Sequence, residues 1–130
     1  MTRLLLDTHT LLWALTDPAR LSAAAREAIA DRGNQRFVSA ASAWELGTKY
    51  RLGKLPTAEV VIIGYDDHVA RLETIQLDVT SRHALDAGAL VWGHRDPVDR
   101  MLAVQAMHES LTLVTADPAF TGLPGVRLLW

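Results

Sequence analysis

Hydrophobic positions along this chain alternate between two patterns. Short apolar runs of four to six residues are followed by longer stretches with helical spacing. "RLLLD" (3–7) is an apolar run closed by an acid, as a buried parallel strand would be, and "THTLLWAL" reads as a helix. "LSAAAREAIADRG" (21–33) predicts a helix with Ser22 as N-cap and Gly33 as stop. "RFVS" (36–39) is a second strand, and "SAWELGTKYRLG" (42–53) a helix ending at Gly53. Residues 57–72 are helical with a bend near Gly64, and "TIQLDV" (74–79) is a strand. "SRHALDAGAL" (81–90) and "DPVDRMLAVQAMHES" (96–110) are helices, and "LTLVTAD" (111–117) and "VRLLW" (126–130) the last strands. Strands alternating with helices predict a three-layer α/β/α domain around a central, mainly parallel sheet of four to five short strands. With no repeat or linker in 130 residues, the expectation is one domain spanning 1–130.

Composition narrows the class. There is no cysteine, which excludes disulfides and thiolate metal sites and fits a reducing cytosol. The apolar N-terminus is interrupted by Asp7 and His9, and no segment reaches the roughly 20 apolar residues of a membrane helix. A soluble, cytoplasmic protein with no membrane partner is expected. The formal net charge of -2 lacks the basic excess of a nucleic-acid binder. Any such contact needs local basic patches, or a metal that reverses the sign of an acidic site.

The acids supply that alternative. In a parallel sheet Asp7 ends the first strand, Glu45 falls in the first turn of the helix after the second, Asp96 and Asp99 open the helix feeding the fourth, and Asp117 ends the fourth. All fall on the carboxyl edge, where open α/β sheets bind ligands. Capping explains several singly: Ser42-x-x-Glu45 as a capping box, Asp96 before Pro97 as an N-cap, Asp99 in a first turn, and Asp117-Pro118 in the manner of the structural Asp17-Pro18. Asp7 has no evident capping role. Four segments delivering carboxylates to one edge call for a counter-charge, which hard divalent cations supply.

The segments "LLLDTHTLLWAL", "SAASAWELGTKYRLGKL", "HRDPVDRMLAVQA", "LVTADPAF" and "VRLLW" together resemble the PIN-domain proteins, in particular the VapC-type toxins of bacterial type II toxin–antitoxin systems. The resemblance covers nearly the whole chain. It implies a metal-dependent endoribonuclease that leaves a 5′-phosphate, with Asp7, Glu45, Asp99 and Asp117 as catalytic acids. Asp7 and Asp99 would hold Mg²⁺ or Mn²⁺. Asp96, an extra acid of the "HRDPxDR" subgroup, would cap the helix and act from the outer shell, beside the hydroxyls of Thr8 and Thr115. For Ser39, capping is at least as good a reading. The resemblance also implies an RNA substrate, a homodimer and a cognate antitoxin.

Lys49, one helical turn after Glu45, and Arg95 and Arg100, which flank the Asp pair with His94 just before them, are candidate RNA-binding residues; Lys49 and Arg100 read equally well as partners of nearby acids. His68, His83 and His108 are expected at the surface, without zinc spacing. Trp13 and Trp44 are expected to pack, and for Trp92 packing outweighs stacking on RNA. His9 where a second aspartate would stand argues against haloacid-dehalogenase-like phosphatases, and receiver domains lack their acidic pair and lysine here. The rival is a non-catalytic PIN-like module that binds RNA or protein without cutting.

Overall fold

A computed structural model describes residues Met1–Trp130. The strands are β1 (Arg3–Leu6), β2 (Gln35–Ser39), β3 (Thr74–Leu77), β4 (Thr112–Val114) and β5 (Arg127–Leu129). The helices are α1 (Thr8–Thr16), α2 (Ala23–Ala30), α3 (Ala40–Arg51), α4 (Glu59–Ile62), α5 (Tyr65–Arg71), α6 (Ser81–Ala89) and α7 (Pro97–His108). The five strands form one sheet in the order β3-β2-β1-β4-β5, and every neighbouring pair is parallel. The expected α/β/α layering with a parallel sheet is what the chain adopts.

The middle strand explains its own sequence. β1 lies between β2 and β4, and Leu4, Leu5 and Leu6 are each fully buried, so both faces of that strand must be apolar. Leu4 and Leu6 face a core completed by Val38, Val114 and apolar residues of α1 to α5. Leu5 faces the opposite core with Phe37, Leu113 and the α7 residues Leu102, Ala103 and Ala106. Helix α7 is buried almost all round from Leu102 to Ala106, which is why its sequence is apolar and small rather than amphipathic.

Strand order reverses beside β1. The chain runs outward through β2 and β3, then α6 and α7 return it to the other flank for β4 and β5. The carboxyl ends of β1 and β4 thus flank the switch point, the place where such sheets form a crevice. A backbone bond from Asp7 N to Val114 O (3.1 Å) and the Thr10 hydroxyl on the same carbonyl (3.0 Å) tie that corner together.

Several local expectations need correction. Helix α3 starts at Ala40 with Ser39 as N-cap, its hydroxyl accepting from Ala41 N, so Ser42 and Glu45 form no capping box. Ser42 is fully buried and its hydroxyl instead accepts from Thr8 Oγ1, while Glu45 lies in the second turn. Gly64 does bend the 57–72 stretch: with φ of 72° it divides α4 from α5 in a conformation that costs glycine little. His83 is buried at 3% exposure, not at the surface. Its Nδ1 accepts from Thr80 N and its Nε2 faces Glu109 Oε1 at 3.1 Å, locking α6 to the end of α7.

Arg36 is a charged residue on a strand interior, made tolerable by its partners. Its guanidinium donates to the carbonyls of Leu72, Ile29 and Asp31 and meets Glu73 Oε2 at 3.4 Å. It therefore pins the ends of α2 and α5 to β2. Replacing it by methionine strands those carbonyls in the interior. We expect Arg36→Met to lower stability by about 3 kcal/mol in urea unfolding with an unchanged m-value; an unchanged midpoint would refute this role.

Candidate active site

A cleft of about 510 Å³ opens at the carboxyl edge, and its walls carry Asp7, Glu45, Asp96, Asp99 and Asp117. Three of the carboxylates arrive as caps at the start of a helix or turn. Asp7 follows β1 and is the N-cap of α1: its Oδ1 accepts from Thr10 N at 2.8 Å, a capping role the sequence pattern did not suggest. Asp96 caps α7 ahead of Pro97, with Oδ1 accepting from Asp99 N at 2.9 Å. That bond fixes the first turn in which Asp99 stands. Asp117 begins the turn after β4, with Oδ1 accepting from Ala119 N at 2.9 Å. Glu45 comes from α3, 9% exposed, with Oε2 3.0 Å from Lys49 Nζ.

Every one of these acids commits one oxygen to the protein. The fifth case is Asp99, whose Oδ2 lies 2.7 Å from His94 Nε2. The second oxygen of each makes no hydrogen bond to the protein. The cleft is thus walled by carboxylates that are held in place yet keep a donor atom in reserve.

The electrostatics are unbalanced. Burial pushes the Asp99 carboxyl up to about 6; the His94 hydrogen bond pulls the other way, and Asp96 and Asp117 add repulsion. Opposing charge comes from Lys49 and Arg20 on the cleft wall, where the rings of His9 and His94 also stand. The donor set suits a hard divalent cation, since it is made of oxygens and carries negative charge the protein leaves unneutralised. His94, Asp99 and Asp117 offer donor atoms within 4.8 Å of one another. Asp7 shares the cleft but stands outside that closest trio, so the expected Asp7–Asp99 pair is joined by a tighter grouping around Asp99.

The hydroxyls support the scaffold rather than the carboxylate oxygens. Thr8 donates to Ser42, and Thr115 Oγ1 accepts from the backbone N of Asp117 at 3.0 Å. Among the cations, Lys49 lines the cleft and Arg95 is exposed next to it in sequence. Arg100 is different. Its guanidinium donates to the carbonyls of Ala87, Gly88, Leu90, Trp92 and His94, so it staples the 87–94 segment to α7 and pairs with none of the acids.

Sequence reasoning missed three polar or aromatic wall residues, His9, Trp13 and Arg20, and set His94 before the Asp pair without joining it to Asp99. His94 had a signal, standing five residues before Asp99 across a proline cap that turns the chain back. Arg20 had none, because it reaches the cleft by lying over the Trp13 ring at 4.7 Å. Trp13 also meets Trp130 at 5.9 Å, and Trp92 packs on His94 (4.8 Å) and Phe120 (5.5 Å). Trp44, expected to pack, is instead 63% exposed.

Two expectations test this geometry. The unfolded chain ionises Asp99 near 3.8 and the folded chain near 6, so folding takes up a proton between those values and stability falls as pH rises through about 6. In EDTA, Asp99→Asn should therefore stabilise the fold by about 1–2 kcal/mol at pH 8, after discounting for partial exposure. The gain should shrink by pH 4.5 in parallel urea titrations, and a pH-independent difference would contradict the assignment. Arg100→Lys, which cannot serve five carbonyls with three donors, should cost about 2 kcal/mol of unfolding free energy. Unchanged stability would return Arg100 to the list of ligand contacts.

Comparison with known proteins places this cleft. A model of the PIN domain matches residues 4–125. Ribonuclease VapC22 of Mycobacterium tuberculosis (strain ATCC 25618 / H37Rv) is 31% identical over 118 residues, covering 90% of this chain and 88% of that protein. Ribonuclease VapC16 of the same organism is 41% identical over 58 residues, covering 45% of this chain and 41% of that protein. A chain in the crystal structure of VapBC2 from Rickettsia felis, bound to a DNA fragment from their promoter, superposes with a TM-score of 0.68 at 19% identity over 98% of both chains. A chain of DNA-bound VapBC from Salmonella typhimurium gives 0.68 at 23% identity, covering 99% of this chain and 98% of that one. These two share the fold. With its family signature running from β1 nearly to β5, and a VapC ribonuclease related along nine-tenths of its length, the chain belongs to the PIN domain family, in its VapC branch.

Proposed function

We propose that this protein is a metal-dependent endoribonuclease, the toxin of a type II toxin–antitoxin system. The observation that carries the reading is the cleft in which five carboxylates from four segments each keep one oxygen without a protein partner. The kinship with VapC22, a ribonuclease, supports the substrate class. A binding module without chemistry would have no use for so costly a concentration of charge.

In this reading Asp7, Asp99 and Asp117 hold Mg²⁺ or Mn²⁺, with His94 at hand beside them. When bound, the ion activates a water for attack on a phosphodiester and offsets charge on the leaving oxygen. Glu45 is held by Lys49 so that its second oxygen can orient the attacking water. Lys49 also offers its charge to the RNA backbone, as does Arg95 outside the cleft. Asp96 acts through the backbone, by fixing the turn that presents Asp99. No helix is long and apolar enough to cross a membrane. An antitoxin partner and a homodimer, within one PIN domain spanning the chain, complete the proposal.

Asp7→Asn is the sharpest test, because asparagine caps a helix as well as aspartate and leaves α1 intact. Purified wild type and variant would be offered a pooled structured RNA with Mg²⁺ and with EDTA. Wild type should cut only with metal, and the variant should cut at least ~100-fold more slowly, the scale on which lost electrostatic stabilisation is felt. Equal cutting by both, or cutting that survives EDTA, would overturn the assignment. RNA bound by both and cut by neither would favour the non-catalytic module.

A further inference from the structure

Helix α3 serves the cleft with Glu45, while the residue before it points elsewhere. Trp44 is 63% exposed, although the other three tryptophans each stack on an aromatic neighbour. Its indole borders a second depression of about 220 Å³, shared with Thr48, Leu52 and Pro97, and with Lys49 and Lys54. Glu45, Lys49 and Asp96 line both hollows, so this depression adjoins the acidic cleft.

We propose that Trp44 is a stacking platform for an unpaired RNA base, one step along the strand from the phosphodiester that enters the cleft. The inference rests on the ribonuclease reading and deepens it, by assigning a base-binding subsite and a preference for single-stranded or looped RNA. Two features favour a nucleobase over a protein segment. Two lysines stand beside the indole, where a strand's phosphates would run. Adjacency to the cleft brings a stacked base and a bound phosphate within reach of one nucleotide strand. Base pairing would block the stack, so a duplex gains nothing there.

The test uses Asp7→Asn protein in Mg²⁺, so that RNA is bound but not consumed, and a fluorescein-labelled eight-nucleotide single-stranded RNA pool with a matched duplex. In fluorescence anisotropy, adding Trp44→Ala should weaken single-strand binding about tenfold. Trp44→Phe should restore it to within about twofold, and duplex affinity should not move. Circular dichroism checks that both variants remain folded. Unchanged single-strand affinity in Trp44→Ala overturns the proposal. So does a loss that accompanies a change of oligomeric state in light scattering, which would make this face a protein interface. A parent that binds no RNA overturns it too, and metal-dependent cutting by wild type then keeps the ribonuclease reading intact while the Trp44 subsite falls.

Discussion

Carboxylates crowded into one partly buried cleft repel one another, and that repulsion is the constraint around which this molecule is arranged. The fold answers with bonds that fix one oxygen of each acid. Backbone amides hold Asp7, Asp96 and Asp117, a lysine holds Glu45 and a histidine holds Asp99. Backbone donors at helix and turn starts are well suited to this, because their N–H groups would otherwise lack partners and favour negative charge. The same bond that completes a helix therefore aims a ligand. Asp99 remains the least satisfied, as its raised carboxyl shows.

Holding several acids in register demands a rigid frame, and most of the frame lies away from the cleft. β1 is buried on both faces and bonded to strands on both sides, so the position of Asp7 is set by two cores at once. Two arginines then act as pegs. Arg36 gathers carbonyls from the ends of α2 and α5, and Arg100 gathers five from the segment leading to α7. The second peg lies nearer the cleft and shapes the stretch that brings His94 onto Asp99. Tilted ring contacts of Trp92 with Phe120 and His94 back the same pair. Charge at the cleft is thus steadied by hydrogen-bond donors and ring faces whose own partners lie elsewhere.

The element pattern was legible because period-two and period-3.6 signals are strong in short buried strands and capped helices. "RLLLD" and "DPVDRMLAVQA" could hardly be read otherwise. Boundaries were less legible. The third helix begins at Ala40 rather than Ser42 because Ser39, at the strand end, outcompetes Ser42 for the cap, and Ser42 then turns to Thr8. Asp7 looked free of capping duty only because strand and helix meet with no loop between them. His83 and Trp44 were each read the wrong way round, since the face a helical residue presents depends on what packs beside it. α7 covers His83, and nothing covers Trp44.

By itself, the sequence determined the layered parallel architecture and the gathering of Asp7, Glu45, Asp99 and Asp117 at one edge. Both follow from local periodicity and from the rule that strand ends and helix starts share that edge. Only the tertiary structure decided which oxygen of each acid is committed, that Arg100 is a staple, and that His9, Trp13, Arg20 and His94 join the wall. Those outcomes depend on contacts between segments far apart in the chain or folded back across a proline turn. No local pattern encodes such contacts, because they are set by how the layers settle against one another.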